Sequence, residues 1–289
     1  MSEFYNQHQK QIDHFIHSAL KEDIEDGDHT SLACLSKNEI GKVHLIAKEQ
    51  GIIAGVELAK IIFKKVNPAI DVKVLIQDGQ PIKEGEVILR LEGPQYDLLA
   101  TERLVLNCMQ RMSGIASLTH RINKKINHTN CQLLDTRKTT PNFRYPEKWA
   151  VKIGGGVNHR MGLFDTLMIK DNHVDFNGSI KETLKKTKLY LEKKKLDLPT
   201  IVEVRNLEEI EACFTFPWIY RLLLDNMSPA MMKKAVQLIN GRFPTEASGN
   251  ITEENIVEVA ESGVDFASLG ALTHSAKNID LSLKSFLRT

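Results

Sequence analysis

Cysteine is scarce in this sequence: four residues, Cys34, Cys108, Cys131 and Cys213, stand far apart in 289. No CxxC pair and no Cys/His spacing of the zinc-holding kind occurs, so neither a disulfide framework nor a structural zinc site is expected. Reduced, buried thiols are the simplest reading. Long apolar runs are missing as well: nowhere do about eighteen apolar residues follow one another, the length needed to span a bilayer. The beginning of the chain lacks a basic region followed by an apolar stretch and a cleavage site, so a cytosolic location is expected. An excess of charge of one sign is also absent. Lys plus Arg number 38 against 37 Asp plus Glu, a net +1, which argues against a broad nucleic-acid or membrane footprint. With 42% hydrophobic and 26% charged residues, the composition is that of an ordinary soluble chain of one large or two ordinary domains.

What is present is a local concentration of cations. Between a short apolar strand at Leu133 and Leu134 and a second at Leu167, Met168 and Ile169 lie Arg137, Lys138, Arg144, His159 and Arg160. Lys170 closes the second strand, His173 follows it, and Gly154, Gly155 and Gly156 lie in between. A single cation is usually a solvated one. This many at strand ends, beside three glycines, points to a polyanionic ligand, and the balanced net charge makes that ligand a small anion.

The pattern along the chain divides in two. Residues Ile12, Phe15, Ile16, Ala19 and Leu20 form one apolar helix face, which DIEDGDHTS at 23–31 breaks. Val43, Leu45 and Ala47 alternate only loosely with His44 and Ile46, Gly51 and Gly55 mark turns, and a helix is expected over 56–66. A strand pair at 70–76 and 86–91 is joined through the turn signals Asp78-Gly79 and Glu84-Gly85. The segment GQPIKEGEVILRLEG has the look of a lipoyl hairpin but lacks a lysine placed between hydrophobic partners at a tight turn, so its reading is structural. A helix from Tyr96 to about Asn127 carries Glu102, Arg103, Asn107 and Arg111 and is expected to be interrupted at Ser113-Gly114. Thereafter short apolar strands at 131–134, 166–169, 200–204, 220–224, 244–247 and 265–269 alternate with helix-length segments, the signature of βα units on a buried parallel sheet. The lysine run at 183–199 reads as the solvated face of a helix whose inner side is Leu184, Leu189 and Leu191. Ile279, Leu281, Leu283, Phe286 and Leu287 form a closing amphipathic segment expected to return to the first domain.

Each of the six strands stops at a polar residue: Asp135 to Arg137, Lys170, Glu203, Asp225, Glu246 to Ser248, and Ser268 to Gly270. In a βα barrel the carboxyl ends share one face, where catalytic groups are held. Six sequence-distant clusters would therefore converge on one pocket. ASGN at 247–250 and SLGAL at 268–272 are Ser/Gly turns leading into helices, a backbone form that cradles phosphate. Glu203 and Asp225 in an otherwise cationic site want a counter-ion. Mg²⁺ shared between carboxylate oxygens and a substrate diphosphate is the usual answer, and simple neutralisation of the neighbouring Lys and Arg is the bland alternative. Arg forks suit a second substrate bearing carboxylates.

The motifs DTRKTTP, GGGVNHRMGL, IKDNH, VEVRN, LLLDNM, EASGNI and SLGALTHS, with EDIEDGDHTS and TERLVLNCMQRMSGIASLT in the front half, occur in order over nearly the whole chain. In them the sequence resembles quinolinate phosphoribosyltransferase, the carboxylating nicotinate-nucleotide pyrophosphorylase. The resemblance implies an α/β fold: an amino-terminal α/β sandwich domain over 1–115, completed by 275–289, and an open, irregular α/β barrel over 116–274 that carries the active site. It implies a cytoplasmic enzyme of de novo NAD synthesis, a pentosyltransferase that joins quinolinate to phosphoribosyl pyrophosphate with Mg²⁺. The products are nicotinate mononucleotide, pyrophosphate and CO2.

Carried over by position, Arg137, Lys138, His159, Arg160 and Lys170, with Thr136 close by, resemble the quinolinate-binding cluster. Glu203 and Asp225 resemble the residues around the ribose and the Mg-diphosphate, and Ser248, Gly249, Asn250, Gly270 and Ala271 the loops for the 5′-phosphate, with His274 near them. Lys138, Lys170, Glu203 and Asp225 are the implied catalytic groups, either lysine serving the decarboxylation. The assembly implied is a homodimer, or a hexamer built from dimers, in which Arg103 reaches the neighbouring active site. Two departures stand out: Asn142 occupies a position where relatives commonly have glycine, and Asn250 one where some have a second glycine. Asn tolerates the left-handed backbone better than most residues, so the loops can survive. Rival readings are a transferase acting on nicotinate, a family member repurposed beside molybdate transport, and a non-catalytic phosphate-binding sensor.

Overall fold

A computed structural model describes residues 2–36 and 39–285. Phe286 and Leu287 of the closing segment lie outside the described residues. In chain order the first elements are α1 (Glu3–Ile24), α2 (His29–Cys34), β1 (Ile40–Ala47), β2 (Gly51–Ile52), α3 (Val56–Val66), β3 (Asp71–Val74), β4 (Pro81–Ile82), β5 (Val87–Pro94) and α4 (Gln95–Ile126). Then come β6 (Gln132–Leu134), α5 (Arg144–Ile153), β7 (Leu167–Ile169), α6 (Asp171–Asn177), α7 (Ile180–Lys194), β8 (Thr200–Val204), α8 (Leu207–Cys213) and β9 (Arg221–Asp225). The last are α9 (Pro229–Ile239), β10 (Thr245–Ser248), α10 (Ile256–Glu261), β11 (Phe266–Ser268), α11 (Ala271–His274) and β12 (Leu281–Ser285).

Two compact units result. The first comprises Met1–His120, Thr139–Gly155 and Leu272–Thr289; the second comprises Arg121–Lys138 and Gly156–Ala271. The boundary falls between His120 and Arg121, later along α4 than the expected residue 115, and the segment with α5, expected in the second domain, goes to the first.

The first unit is built on an antiparallel sheet in the order β12-β1-β5-β3, so the closing segment does return as an added strand. Val43, Leu45 and Ala47 point inward from β1 by simple alternation. Ser2 caps α1 by accepting the Tyr5 amide, and Asp28 caps α2 by accepting from Thr30 and Ser31. Leu58, Ile62 and Phe63 of α3 are fully buried, each side chain contributing about 1.5–3 kcal/mol of transfer free energy. The segment read for its lipoyl-like look supplies β4, which pairs with β2, and β5.

Two local expectations fail here. Gly51 lies within β2 instead of a turn. The pair Ser113-Gly114 does not interrupt α4, which is continuous over 32 residues. Ser113 Oγ bonds both the N–H and the carbonyl of Ala54, while Gly114 leaves room for the Lys277 carbonyl, so this pair serves close packing.

The second unit is a parallel six-stranded sheet in the order β6-β11-β10-β9-β8-β7, flanked by helices. The strands expected from sequence form within a residue or so, because their apolar runs are buried: Leu222, Leu224, Val202, Val204, Ala247 and Ala267 are inaccessible. Among the described residues β6 and β7 do not pair, which leaves the sheet open as expected; a single bridge from Val157 to Leu134 lies at that edge. On α7 Leu184 and Leu191 face inward, but Leu189, expected beside them, is 64% exposed.

Candidate active site

All six strands of the second unit run in one direction, so their carboxyl ends share one edge. After β6 comes the fully buried Asp135. One carboxylate oxygen accepts from Asn158 Nδ2 at 2.6 Å and the other from the His159 amide at 2.9 Å. This clamps residues 158–160 beside the end of β6, where Thr136 Oγ1 accepts from the Lys138 amide at 3.0 Å and turns the chain. Arg160 is half-buried, its guanidinium donating from Nη1 to the Thr166 carbonyl at 3.1 Å. Burial, and then the nearby charge of Arg137, hold it below the usual arginine range. Two guanidinium groups near enough to disfavour one another's charge would suit an anion such as a carboxylate. Lys170 ends β7 at the start of α6, its side chain exposed.

Two further strands, β8 and β9, carry carboxylates at this edge, Glu203 and Asp225. Glu203 Oε1 accepts from the Asp171 amide at 3.3 Å. Burial pushes its carboxyl up, and the Asp225 charge pushes the same way against the pull of that amide and of Lys170. Among the described residues no group of three His, Cys, Asp or Glu side chains is poised to hold a metal unaided. Two neighbouring carboxylates, of which Glu203 is under-compensated, therefore fit a cation whose remaining ligands come from a bound diphosphate and water.

A third carboxylate, Glu246, entered the sequence reading only as the start of the 246–248 strand end and was given no role. It is inaccessible and accepts from Arg221 Nη1 at 3.0 Å and from Ser268 Oγ, with His159 Nε2 at 3.3 Å. Burial alone would push its carboxyl up, yet His159, Ser268 and Arg221 hold it below the usual carboxylate range. The sequence signal was a charged residue at the close of an apolar strand, which does not reveal its three partners.

At the far side Ser248 ends β10 with Gly249 and Asn250 after it, and Gly270 and Ala271 follow β11 into α11. Gly249 has φ +92°, and any Cβ there would run into the Asn226 side chain, so only glycine fits.

The sequence matches the family model for the quinolinate phosphoribosyl transferase C-terminal domain over residues 115–284 and that for the N-terminal domain over 28–113. The chain belongs to the quinolinate phosphoribosyltransferase family. Among relatives in this family, quinolinate phosphoribosyltransferase [decarboxylating] 2b, mitochondrial, of Nicotiana tabacum is 44% identical over 92% of this chain and 80% of its own length. A probable nicotinate-nucleotide pyrophosphorylase [carboxylating] of Bacillus subtilis is 37% identical over 95% of this chain and 92% of its own. The crystal structure of NadC from Streptococcus pyogenes superposes with a TM-score of 0.88 at 35% identity, covering 96% of this chain and 97% of that one.

Several residues in the family's motifs belong to the first unit rather than to the one that carries this edge. Arg144 and the glycines Gly154 and Gly155 belong to the first unit. There Arg144 Nε donates to Thr139 Oγ1 at 3.0 Å, and a Cβ on Gly154 would strike the Ala116 carbonyl, so that glycine serves helix packing. Arg103, exposed on α4, and His274, exposed on α11, are likewise in the first unit. His173 Nδ1 accepts from the Lys170 amide at 2.9 Å and so fixes the start of α6. Of the cysteines, Cys108, Cys131 and Cys213 are buried, which pushes each thiol up to about 12. Cys34, expected to be buried with them, is exposed. Asn142 does adopt a left-handed backbone, with φ +62°, as does Asn250 at +51°.

Proposed function

We propose that this chain transfers the phosphoribosyl group of phosphoribosyl pyrophosphate to quinolinate with decarboxylation, giving nicotinate mononucleotide, pyrophosphate and CO2 in NAD biosynthesis. The observation that carries the reading is the Arg137 and Arg160 pair, set on the same strand edge as the Glu203 and Asp225 carboxylates. Monocarboxylates do not need so many cations, which favours quinolinate over nicotinate.

In this reading Arg137, Lys138, His159, Arg160 and Lys170, with Thr136, fix the two substrate carboxylates and aim the pyridine nitrogen at the ribose carbon. Ser248, Gly249, Asn250, Gly270 and Ala271 hold the 5′-phosphate. The nitrogen lone pair forms the new bond to carbon as the bond to pyrophosphate oxygen breaks. Glu203 and Asp225 offset the positive charge that grows on the ribose at that moment. Mg²⁺, held by Glu203 and Asp225 directly or through water together with the diphosphate, would neutralise the leaving group. The bond from the ring to the adjacent carboxylate then breaks, CO2 leaves, and the electron pair stays on carbon beside the cationic nitrogen. Lys138 or Lys170 steadies that pair and delivers the proton. No covalent nucleophile is required, and the raised buried thiols are poor ones.

The reading extends to a cytoplasmic homodimer, or a hexamer of dimers, with Arg103 contributed to the neighbouring site. Its support is the motif around Arg103 and, in the second unit, the outward-facing Leu163 and Phe164, 72% and 68% exposed. Among the described residues no helix is long and apolar enough to cross a membrane. Two plant relatives carry mitochondrial or chloroplastic in their names, a statement about those proteins.

Incubation with quinolinate, phosphoribosyl pyrophosphate and Mg²⁺ is expected to release CO2 and nicotinate mononucleotide in equal amounts. No turnover above a boiled control would sink the assignment, and faster use of nicotinate would redirect it. Mixing Arg103→Ala with Arg160→Ala subunits should restore one intact site per dimer.

A further inference from the structure

Asn226 lies directly after β9 and has no role in the reaction just described. Its backbone is left-handed, φ +53°, a conformation that Asn adopts where geometry demands it. Its amide donates to the Ser248 carbonyl at 2.9 Å. Its side chain faces two ways: Nδ2 donates to Asp225 Oδ2 at 2.7 Å, and Oδ1 accepts from Asn250 Nδ2 at 3.1 Å. Asn250 is itself left-handed, and its carbonyl accepts from Asn255 Nδ2 at 3.0 Å, which anchors the far end of the turn. Gly249 lies against the Asn226 side chain, with no space for a Cβ.

We infer that Asn226 is a positioning residue that locks the carboxylate facing the diphosphate to the turn facing the 5′-phosphate, so that the two charged ends of the phosphoribosyl donor are recognised as one unit. This rests on the proposed reaction for the identity of the donor. The physical reason is preorganisation. Asp225 and the turn at 248–250 come from different strands, and each alone would sample several rotamers or loop states whose ordering would weaken binding. One amide satisfying both removes that freedom before the donor arrives. The Asn226–Asn250 bond needs a side chain at position 250, so it is available to this sequence and lost when that residue is glycine.

The test is a double-substitution cycle on the full chain. Asn226→Gly keeps the left-handed backbone and removes only the amide, and Asn250→Gly removes the other partner. With each substrate varied in turn, Asn226→Gly is expected to raise KM for phosphoribosyl pyrophosphate roughly tenfold, the range of hydrogen bonds to a charged group. KM for quinolinate should stay within about twofold, because the Asp135 and Arg160 side of the edge is untouched. Asn250→Gly should cost less, and the double variant no more than Asn226→Gly alone, since the shared bond is already gone. Equal rises in both KM values, strict additivity, or wild-type behaviour of Asn226→Gly would overturn the inference. Calorimetric titration with phosphoribosyl pyrophosphate and Mg²⁺ gives a readout without turnover. Weakened binding in Asn226→Gly, with no wild-type turnover of quinolinate, would keep the coupling and overturn the reaction. No binding to the wild type would overturn both.

Discussion

Glu203 and Glu246 stand in the same register row of one sheet, each paired with Leu223 of the strand between them, and so share a face. They nevertheless sit in opposite electrostatic environments. Glu246, on β10, is sealed among Arg221, Ser268 and His159, and these partners outweigh its burial to keep it ionised. Glu203, on β8, is half-buried beside another carboxylate and is held above its ordinary range. The difference separates two jobs. A compensated charge fixes the geometry of its neighbours, here the His159 corner that carries Arg160. An uncompensated one keeps its attraction in reserve for a ligand, at the expense of stability.

The largest effect that would break this contrast is expected from Glu246→Ala. It leaves Arg221, which is 7% exposed, buried without its carboxylate, and removing one partner of such a pair costs about 3–5 kcal/mol. Denaturant unfolding should register that loss. A value below about 1 kcal/mol, the scale of an exposed ion pair, would mean that Glu246 is no better compensated than Glu203. Because its native acidity is strengthened, the Glu246 contribution is present above the ordinary carboxylate range and is lost as pH falls through the lower native value.

Glu203→Gln should do the reverse in both respects. It keeps the oxygen that accepts the Asp171 amide while removing a charge whose native form is disfavoured, so the unfolding midpoint at pH 7 should rise. Turnover should drop by roughly a hundredfold, the usual loss when a group that stabilises transition-state charge is neutralised. An active variant, or a less stable one, would contradict the assignment of Glu203 as an uncompensated charge held for the ligand.

The smallest effect sharpens the scale. Glu253 of the same unit is paired with Arg121 and Lys125 near the surface, which hold it down at about 2. Glu253→Gln should cost less than about 1 kcal/mol at neutral pH, as exposed pairs do. The sign follows from a lowered native value: its stabilisation is complete above the ordinary carboxyl value of 4.5 and disappears as pH falls toward about 2. Thermal melts of both proteins across that interval should converge at the acid end.

Local pattern carried much of this molecule. The helix at 56–66 forms over Val56–Val66, and the six short strands at 131–269 appear because apolar runs of that length between helices have little choice but a buried parallel sheet. The cationic and acidic strand ends were visible for the same reason. Ser113-Gly114 misled, since a helix tolerates such a pair when another segment packs against it. Leu189 misled because periodicity alone does not say how far around α7 the buried stripe extends.

Sequence by itself determined the family, the alternation of strands and helices and the residue types at each strand end, because these follow from side-chain chemistry and spacing. Only the tertiary structure decided which charges meet. It drew Arg144 and Gly154 into the packing of the first unit, gave Glu246 its three partners, and set Asn226 between Asp225 and Asn250. The reason is that compensation of a charge depends on distances of a few ångströms between residues far apart in the chain, and only the register and direction of the parallel strands fix those distances.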